Sequence, residues 1–170
     1  LMVAGLPITH FVFGHGFLLT KGEKMSKSRG NAIMPADLAK VFGVDAYRYY
    51  FMSDIQFGHD GSISIERMVQ VYNADLANTW GNLCSRVFNM TGKYFDGCVP
   101  QAPASASDNP LHEIARDLYA SYDHCMTDVD FTGAVNAVRT LAGRANAYIE
   151  ESAPWNLAKD PALHDELCAV

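Results

Sequence analysis

Apolar residues recur at steps of three and four along most of the chain, which is the spacing of one face of an α-helix. The first stripe predicts a helix of about thirty residues, and its members are Ile65, Val69, Tyr72, Leu76, Trp80, Leu83, Val87, Met90 and Tyr94. Two further stripes, Leu111 to Met126 and Phe131 to Tyr148, predict two more long helices, and Asp130 is placed to cap the last of them. Consecutive long helices with tight connections predict an antiparallel bundle.

The first sixty residues follow a different pattern. Residues 10–19 are rich in Phe and Val and are bounded by turn residues, so they predict one buried strand without a sheet partner nearby. Pro35 begins a short helix whose apolar side is Leu38, Val41 and Phe42, and Gly43 ends it. An aromatic helix over residues 46–53 follows, with Tyr47, Tyr50 and Phe51 facing inward. The predicted fold class is therefore mainly α.

Two other segments complete the pattern. Residues 97–110 contain three prolines and no apolar period, which predicts a loop. The segment Ser152-Ala153-Pro154-Trp155 interrupts the third long helix, and residues 163–170 predict a last short helix. The predicted architecture is thus a helical bundle preceded by a strand and a loop.

Composition limits the classes of function. With 170 residues, 49% of them hydrophobic and 19% charged, the chain can bury a core and is not a disordered segment. The net charge of −6 does not favour general nucleic-acid binding, although the segment Lys21 to Arg29 holds four cations against Glu23. The widely spaced cysteines indicate reduced thiols and no metal site. Glycines and prolines interrupt the apolar first twenty residues, which argues against a membrane span or a signal peptide and predicts an internal part of a cytoplasmic protein.

The most distinctive polar segment is Lys24-Met25-Ser26-Lys27-Ser28, followed by Arg29-Gly30-Asn31. It has no apolar run to bury, and it therefore predicts a surface loop. When a carboxylate attacks the α-phosphorus of ATP, negative charge develops on the departing pyrophosphate. Lysine ammonium groups that reach those oxygens stabilise the transition state, and the serine hydroxyls supply hydrogen bonds to the phosphates.

This pentapeptide resembles the KMSKS loop of the class I aminoacyl-tRNA synthetases. The resemblance implies that Lys24, Met25, Ser26, Lys27 and Ser28 contact ATP, bound as Mg-ATP, and that Lys24 and Lys27 are catalytic. The dipeptide His15-Gly16 is similar to the HIGH signature of the same class, but it lies only nine residues before Lys24. We therefore treat His15 as a strand-end residue.

A second resemblance concerns the helical part of the chain. Asn82 and Arg86, one helical turn apart, and Trp155 after Pro154 are similar to the anticodon-recognising residues of the methionyl-tRNA synthetase family. The chemistry is suitable, because unpaired bases are read by aromatic stacking and by hydrogen bonds to their edges. The resemblance implies three parts: residues 1–31, the end of the catalytic domain with the KMSKS loop; residues 32–62, a connecting helical segment; and residues 63–170, a truncated anticodon-binding domain.

The resemblance also implies an activity. The parent enzyme would be a methionine–tRNA ligase with ATP, L-methionine and tRNA(Met) as substrates, and this part, lacking the methionine pocket, is expected to be inactive alone. One alternative is another class I synthetase, for cysteine, valine or isoleucine, which would share the loop. A second alternative is a non-catalytic helical RNA-binding module, which leaves the two lysines without a role.

Overall fold

The computed structural model describes residues 2–103, 106 and 109–170. A small sheet lies in the first part of the chain, with strand order β2-β1-β3. Strand β1 (Leu18–Thr20) pairs antiparallel with β2 (Glu23–Lys24) and parallel with β3 (Gly61–Ser62). Lys21 and Gly22 connect β1 to β2 with positive φ angles of 54° and 78°, as tight two-residue hairpin turns require.

The predicted strand over residues 10–19 is wrong before Leu18. Phe11 and Val12 are 90% and 91% exposed, and no described residue pairs with this segment as a strand. The prediction that the strand lacks sheet partners is also wrong, because β1 has one on each side. An apolar run signals burial, but a strand forms only where a neighbouring backbone accepts its hydrogen bonds.

Two short helices follow the loop. Helix α1 (Pro35–Phe42) starts with Pro35 and ends at Gly43, whose φ of 83° also separates it from α2 (Val44–Asp54). Val41, predicted to face inward, is instead 77% exposed. The buried core of this region consists of Leu38, Tyr50, Ile63, Met68 and Val71, with Tyr47 and Phe51 partly buried against it.

The predicted long helix is confirmed from residue 65 to residue 94, but its middle is wound differently. Helix α3 (Ile65–Val71) continues through a π-helical segment (Tyr72–Gly81) into α4 (Asn82–Tyr94). Ser64 caps it by accepting a hydrogen bond from the Arg67 amide. A π-helix pairs residue i with i+5 and so changes which side chains share a face.

The inward face of the first part of this helix differs from the predicted stripe, whereas the predicted residues Leu76, Trp80, Leu83 and Met90 are partly buried. Ile65, Val69 and Tyr72 are 42%, 41% and 40% exposed, and the buried residues are Met68, Val71 and Asp75. Both sets follow three- and four-residue steps, so periodicity alone cannot choose between them. Packing against α2 selects the second set.

Four further helices follow along the described part of the chain. They are α5 (Pro110–Thr127), α6 (Phe131–Ser152), α7 (Pro154–Leu157) and α8 (His164–Ala169). Single 3₁₀ turns occur at Met2–Ala4, Lys27–Arg29 and Pro161–Leu163. Asp130 caps α6 as predicted, accepting from the Gly133 amide at 2.9 Å. Helix α6 packs against α5 and also against α4 and α2, so it is the central helix of the molecule.

The sheet bears on the predicted division into three parts. Strand β3 belongs to the predicted connecting segment, 32–62, yet it pairs with β1 of the predicted first part, 1–31. These two segments therefore share one sheet and one core. The boundaries at 31 and 62 remain predictions.

Candidate functional site

The two lysines of the predicted ATP-binding loop lie in different local structures. Lys24 is the last residue of β2, and its ammonium group lies 3.4 Å from the centroid of the Phe17 ring. Lys27 begins the 3₁₀ turn Lys27–Arg29 and is exposed. Only the second lysine therefore lies on a loop. The contact with Phe17 holds the first one by a cation–π attraction.

Asn31 closes the loop from its far end, a role that the sequence analysis did not assign. Its Oδ1 accepts from the Ser26 amide at 2.9 Å, and its Nδ2 donates to the Lys24 carbonyl at 3.3 Å. Gly30, at a φ of 68°, turns the backbone between them. Asparagine can do this because one side chain offers both a donor and an acceptor.

The other predicted loop residues fix its position on the sheet. Met25 is half-buried against the core around Tyr50, and its amide donates to the Leu18 carbonyl at 3.0 Å. The hydroxyls of Ser26 and Ser28 lie 2.7 Å apart, within hydrogen-bond distance. One apolar side chain thus anchors the loop, while its cations stay in solvent.

A line of polar contacts joins the long first helix to α6, and we call it the polar seam. Its three pairs are Asp75–Arg139 (Nη1 to Oδ1, 3.2 Å), Asn82–Asn146 (Nδ2 to Oδ1, 3.2 Å) and Arg86–Glu150 (Nη2 to Oε1, 2.8 Å). Every pair is separated by 64 positions in sequence. The two helices therefore run parallel and in constant register.

The residues predicted to read an anticodon lie at the Arg86–Glu150 end of the seam, where Trp155 is next to Arg86. The Arg86 guanidinium carbon lies 6.0 Å from the centroid of the Trp155 ring. The Arg86 side chain is only 20% exposed and is held by Glu150. Asn82 lies one turn earlier on the same helix. The structure thus places Arg86 beside Trp155, with Asn82 one helical turn away, and we call these three residues the cluster.

Local backbone geometry positions Trp155. Ala153 ends α6 in the left-handed region, at φ 44° and ψ 57°, which non-glycine residues adopt rarely. Pro154 is buried and starts α7, so Trp155 lies in the first turn of a new helix. Trp155 remains 38% exposed.

At the Asp75–Arg139 end of the seam, the buried Asp75 joins Tyr49 and Arg139 in a network that the sequence did not predict. Asp75 is 7% exposed, and it accepts from the Tyr49 hydroxyl at 3.0 Å and from Arg139. Burial, and then the hydrogen bond to Asp75, raises the pKa of Tyr49 well above its ordinary value. Tyr49 therefore stays neutral and donates. No local signal in the sequence marks this network, because its members lie far apart in the chain.

Within residues 2–103, 106 and 109–170, no three or more His, Cys, Asp or Glu side chains are grouped so that they could hold a metal ion. In the same part of the chain, no helix combines the length and apolarity needed to cross a membrane.

Comparisons with known proteins agree with each other. A family model described as tRNA synthetases class I (M) matches residues 1–88. The methionine–tRNA ligase of Bacillus subtilis is 41% identical, covering 100% of this chain and 26% of the relative. That of Synechocystis sp. is 46% identical, covering 94% of this chain and 30% of the relative. The chain thus spans between a quarter and a third of the length of these relatives.

Solved structures give the same result. The methionyl-tRNA synthetase of Mycobacterium tuberculosis bound by methionyl-adenylate superposes with a TM-score of 0.88 at 37% identity, covering 99% of this chain and 34% of that one. The apo form of that enzyme gives a TM-score of 0.82. The family model covers more than half of this chain, and every relative named above carries methionine in its name. This chain therefore belongs to the class I tRNA synthetase family, in its methionine branch.

Proposed function

We propose that this chain is the part of a cytoplasmic methionine–tRNA ligase that supplies the ATP-contacting loop and reads the anticodon of tRNA(Met). The full-length enzyme would activate L-methionine with ATP and transfer it to the tRNA. Family membership supports the reaction, and the cluster of Asn82, Arg86 and Trp155 supports the anticodon role.

The loop would act on the leaving group of the first step. As the methionine carboxylate attacks the α-phosphorus, charge grows on the pyrophosphate of Mg-ATP. Lys27 is exposed on a short turn and Lys24 lies near it in sequence. Their ammonium groups would stabilise that charge. Ser26 and Ser28, together with the anchored Met25, would hold the loop in the required shape.

The single observation that carries the anticodon role is the contact between Arg86 and Trp155. A half-exposed indole beside a guanidinium gives a stacking surface next to a set of donors. Unpaired loop bases are recognised in this way, by stacking and by hydrogen bonds to their edges. Glu150 restrains the Arg86 fork before RNA arrives, so part of the ordering cost is removed in advance.

Binding of anticodon stem-loop RNA by the full-length protein tests this proposal. Trp155→Ala should weaken binding of the CAU stem-loop by about 1–3 kcal/mol, the value of one base–aromatic stack. Phe88→Ala is the matched control, since Phe88 is an aromatic residue of α4 that is 72% exposed and lies outside the cluster. If both variants bind like the wild type, the cluster does not contact the RNA.

A further inference from the structure

The orientation of one side-chain amide in the polar seam is set by its surroundings. Asn146 Nδ2 lies 3.0 Å from the Thr79 carbonyl oxygen and 3.1 Å from the Ala142 carbonyl oxygen. Both neighbours can only accept hydrogen bonds. The reversed amide would place its oxygen against two other oxygens, so the NH₂ group must point toward them.

The π-helical segment supplies one of these two acceptors. At its end, the Asn82 amide donates to the Ala77 and Thr79 carbonyls, a register that differs from the i−4 bonding of an α-helix. The Thr79 carbonyl also receives the Asn146 side chain. The Ala142 carbonyl lies one turn earlier on α6 itself. The orientation of Asn146 therefore depends on the backbone of both helices and not on a mobile side chain.

This fixed amide determines the orientation of Asn82. The oxygen of Asn146 can only accept, so the Asn82 Nδ2 must be the group that donates to it, at 3.2 Å. The Asn82 Oδ1 then points away from Asn146 and can accept from a ligand, and the Nδ2 group keeps one further N–H. Asn82 is exposed, and no donor in the described part of the chain reaches this oxygen.

We propose that Asn146 is a positioning residue that holds Asn82 with its oxygen toward the RNA, where it accepts a hydrogen bond from the exocyclic amino group of an anticodon base. This inference rests on the proposed anticodon role of the cluster. Cytosine and adenine carry such an amino group, whereas uracil and guanine present a carbonyl oxygen at that place. The Asn82 oxygen would then repel the carbonyl oxygen of uracil or guanine. Arg86 offers only donors, so the two side chains present complementary groups to one base edge.

The test uses RNA in which only the amino group is missing. The probes are the CAU stem-loop, the same RNA with pyrimidin-2-one in place of cytosine, and the same RNA with purine in place of adenine. For the full-length wild-type protein, removing the recognised amino group should weaken binding on the order of tenfold, as for one base-edge contact. The modified RNA that shows this loss identifies the anticodon base that Asn82 contacts.

Asn146→Ala should reduce this discrimination. Its Asn82 amide is no longer held, so the CAU affinity should fall while the RNA without the amino group binds as before, and the ratio between them should drop below the wild-type value. Gly143→Ala is the matched control on α6, because an added Cβ there meets open space, and it should keep the wild-type ratio. An equal loss for all three RNAs would show that Asn146 supports only the fold and would overturn the proposal.

If Asn146→Ala does not fold, a second variant tests which atom of Asn82 faces the RNA. Asn82→Asp loses the hydrogen bond to Asn146, but both of its terminal atoms are oxygens, so it still presents an oxygen to the RNA. Its added negative charge should lower all affinities while the amino-group ratio stays near that of the wild type. Loss of the ratio would mean that the NH₂ of Asn82 faces the RNA, against the proposal. Failure of the anticodon role itself is distinguishable, because Trp155→Ala and Asn82→Ala would then leave every RNA bound as before.

Discussion

The buried end of the polar seam should contribute strongly to stability, and Asp75→Ala tests this. Asp75 is 7% exposed and accepts from two side chains, Tyr49 and Arg139. Removing the carboxylate leaves the partly buried Tyr49 hydroxyl without its acceptor, which costs at most about 1–3 kcal/mol, the value for a buried group. It also leaves the Arg139 charge without its partner, which costs about 3–5 kcal/mol where the charge is fully buried.

The second cost must be reduced, because the Arg139 side chain is 46% exposed and can regain water. We therefore expect Asp75→Ala to lower the free energy of unfolding by about 2–4 kcal/mol. Asp75→Asn keeps the shape and one acceptor oxygen, and should cost less. Both values come from urea unfolding followed by far-UV circular dichroism.

Asp37→Ala is the matched control for that experiment. Asp37 pairs with Lys40 at 3.4 Å, but the two side chains are 71% and 78% exposed. Such a pair contributes about 0–1 kcal/mol. If Asp75→Ala is no more destabilising than Asp37→Ala, the buried network does not stabilise the fold and the reasoning is refuted.

Three further predictions concern the loop, the partly buried Tyr49 and Gly16, which precedes β1. Lys27→Ala in the full-length enzyme should slow ATP–pyrophosphate exchange about 10²–10³-fold with methionine affinity nearly unchanged. Lys24→Ala should act in the same direction but less. A normal exchange rate in Lys27→Ala would remove its catalytic role. The folded-state pKa of Tyr49 is raised. The contribution of Tyr49 to stability should therefore be present below about pH 10 and be lost as the pH rises further. The free energy of unfolding of Tyr49→Phe should depend less on alkaline pH than that of the wild type. Gly16→Ala should lower the free energy of unfolding by about 1–3 kcal/mol, because its Cβ would collide with the His59 backbone.

Much of the helical part could be predicted, because local signals define it. Three-and-four periodicity located the long helices, and the capping residue Asp130 located the start of α6. The grouping of Asn82 with Arg86 followed from helical spacing alone. Pro35 and Gly43 marked the ends of α1 for similar reasons.

The errors arise where distant parts of the chain decide the outcome. Residues 10–17 are apolar, but a strand depends on neighbouring backbone that local sequence does not reveal. The same limit applies to the register of the π-helical segment and to the choice between two equally periodic stripes. Glu150 and Asn146 lie 64 positions from their partners, so only the packing of α6 against the long helix shows what they do.

The central claim is that the Arg86–Trp155 cluster reads the anticodon CAU. Its most direct test is a double-mutant cycle of Arg86→Ala and Trp155→Ala in the full-length protein, measured against tRNA(Met) and against the same tRNA with an altered anticodon. Each single change should cost the CAU tRNA about 1–3 kcal/mol, with clear coupling between the two residues and little effect on the altered tRNA. Equal, additive losses for both tRNAs, weakening with added salt, would indicate a purely electrostatic contact and contradict the claim.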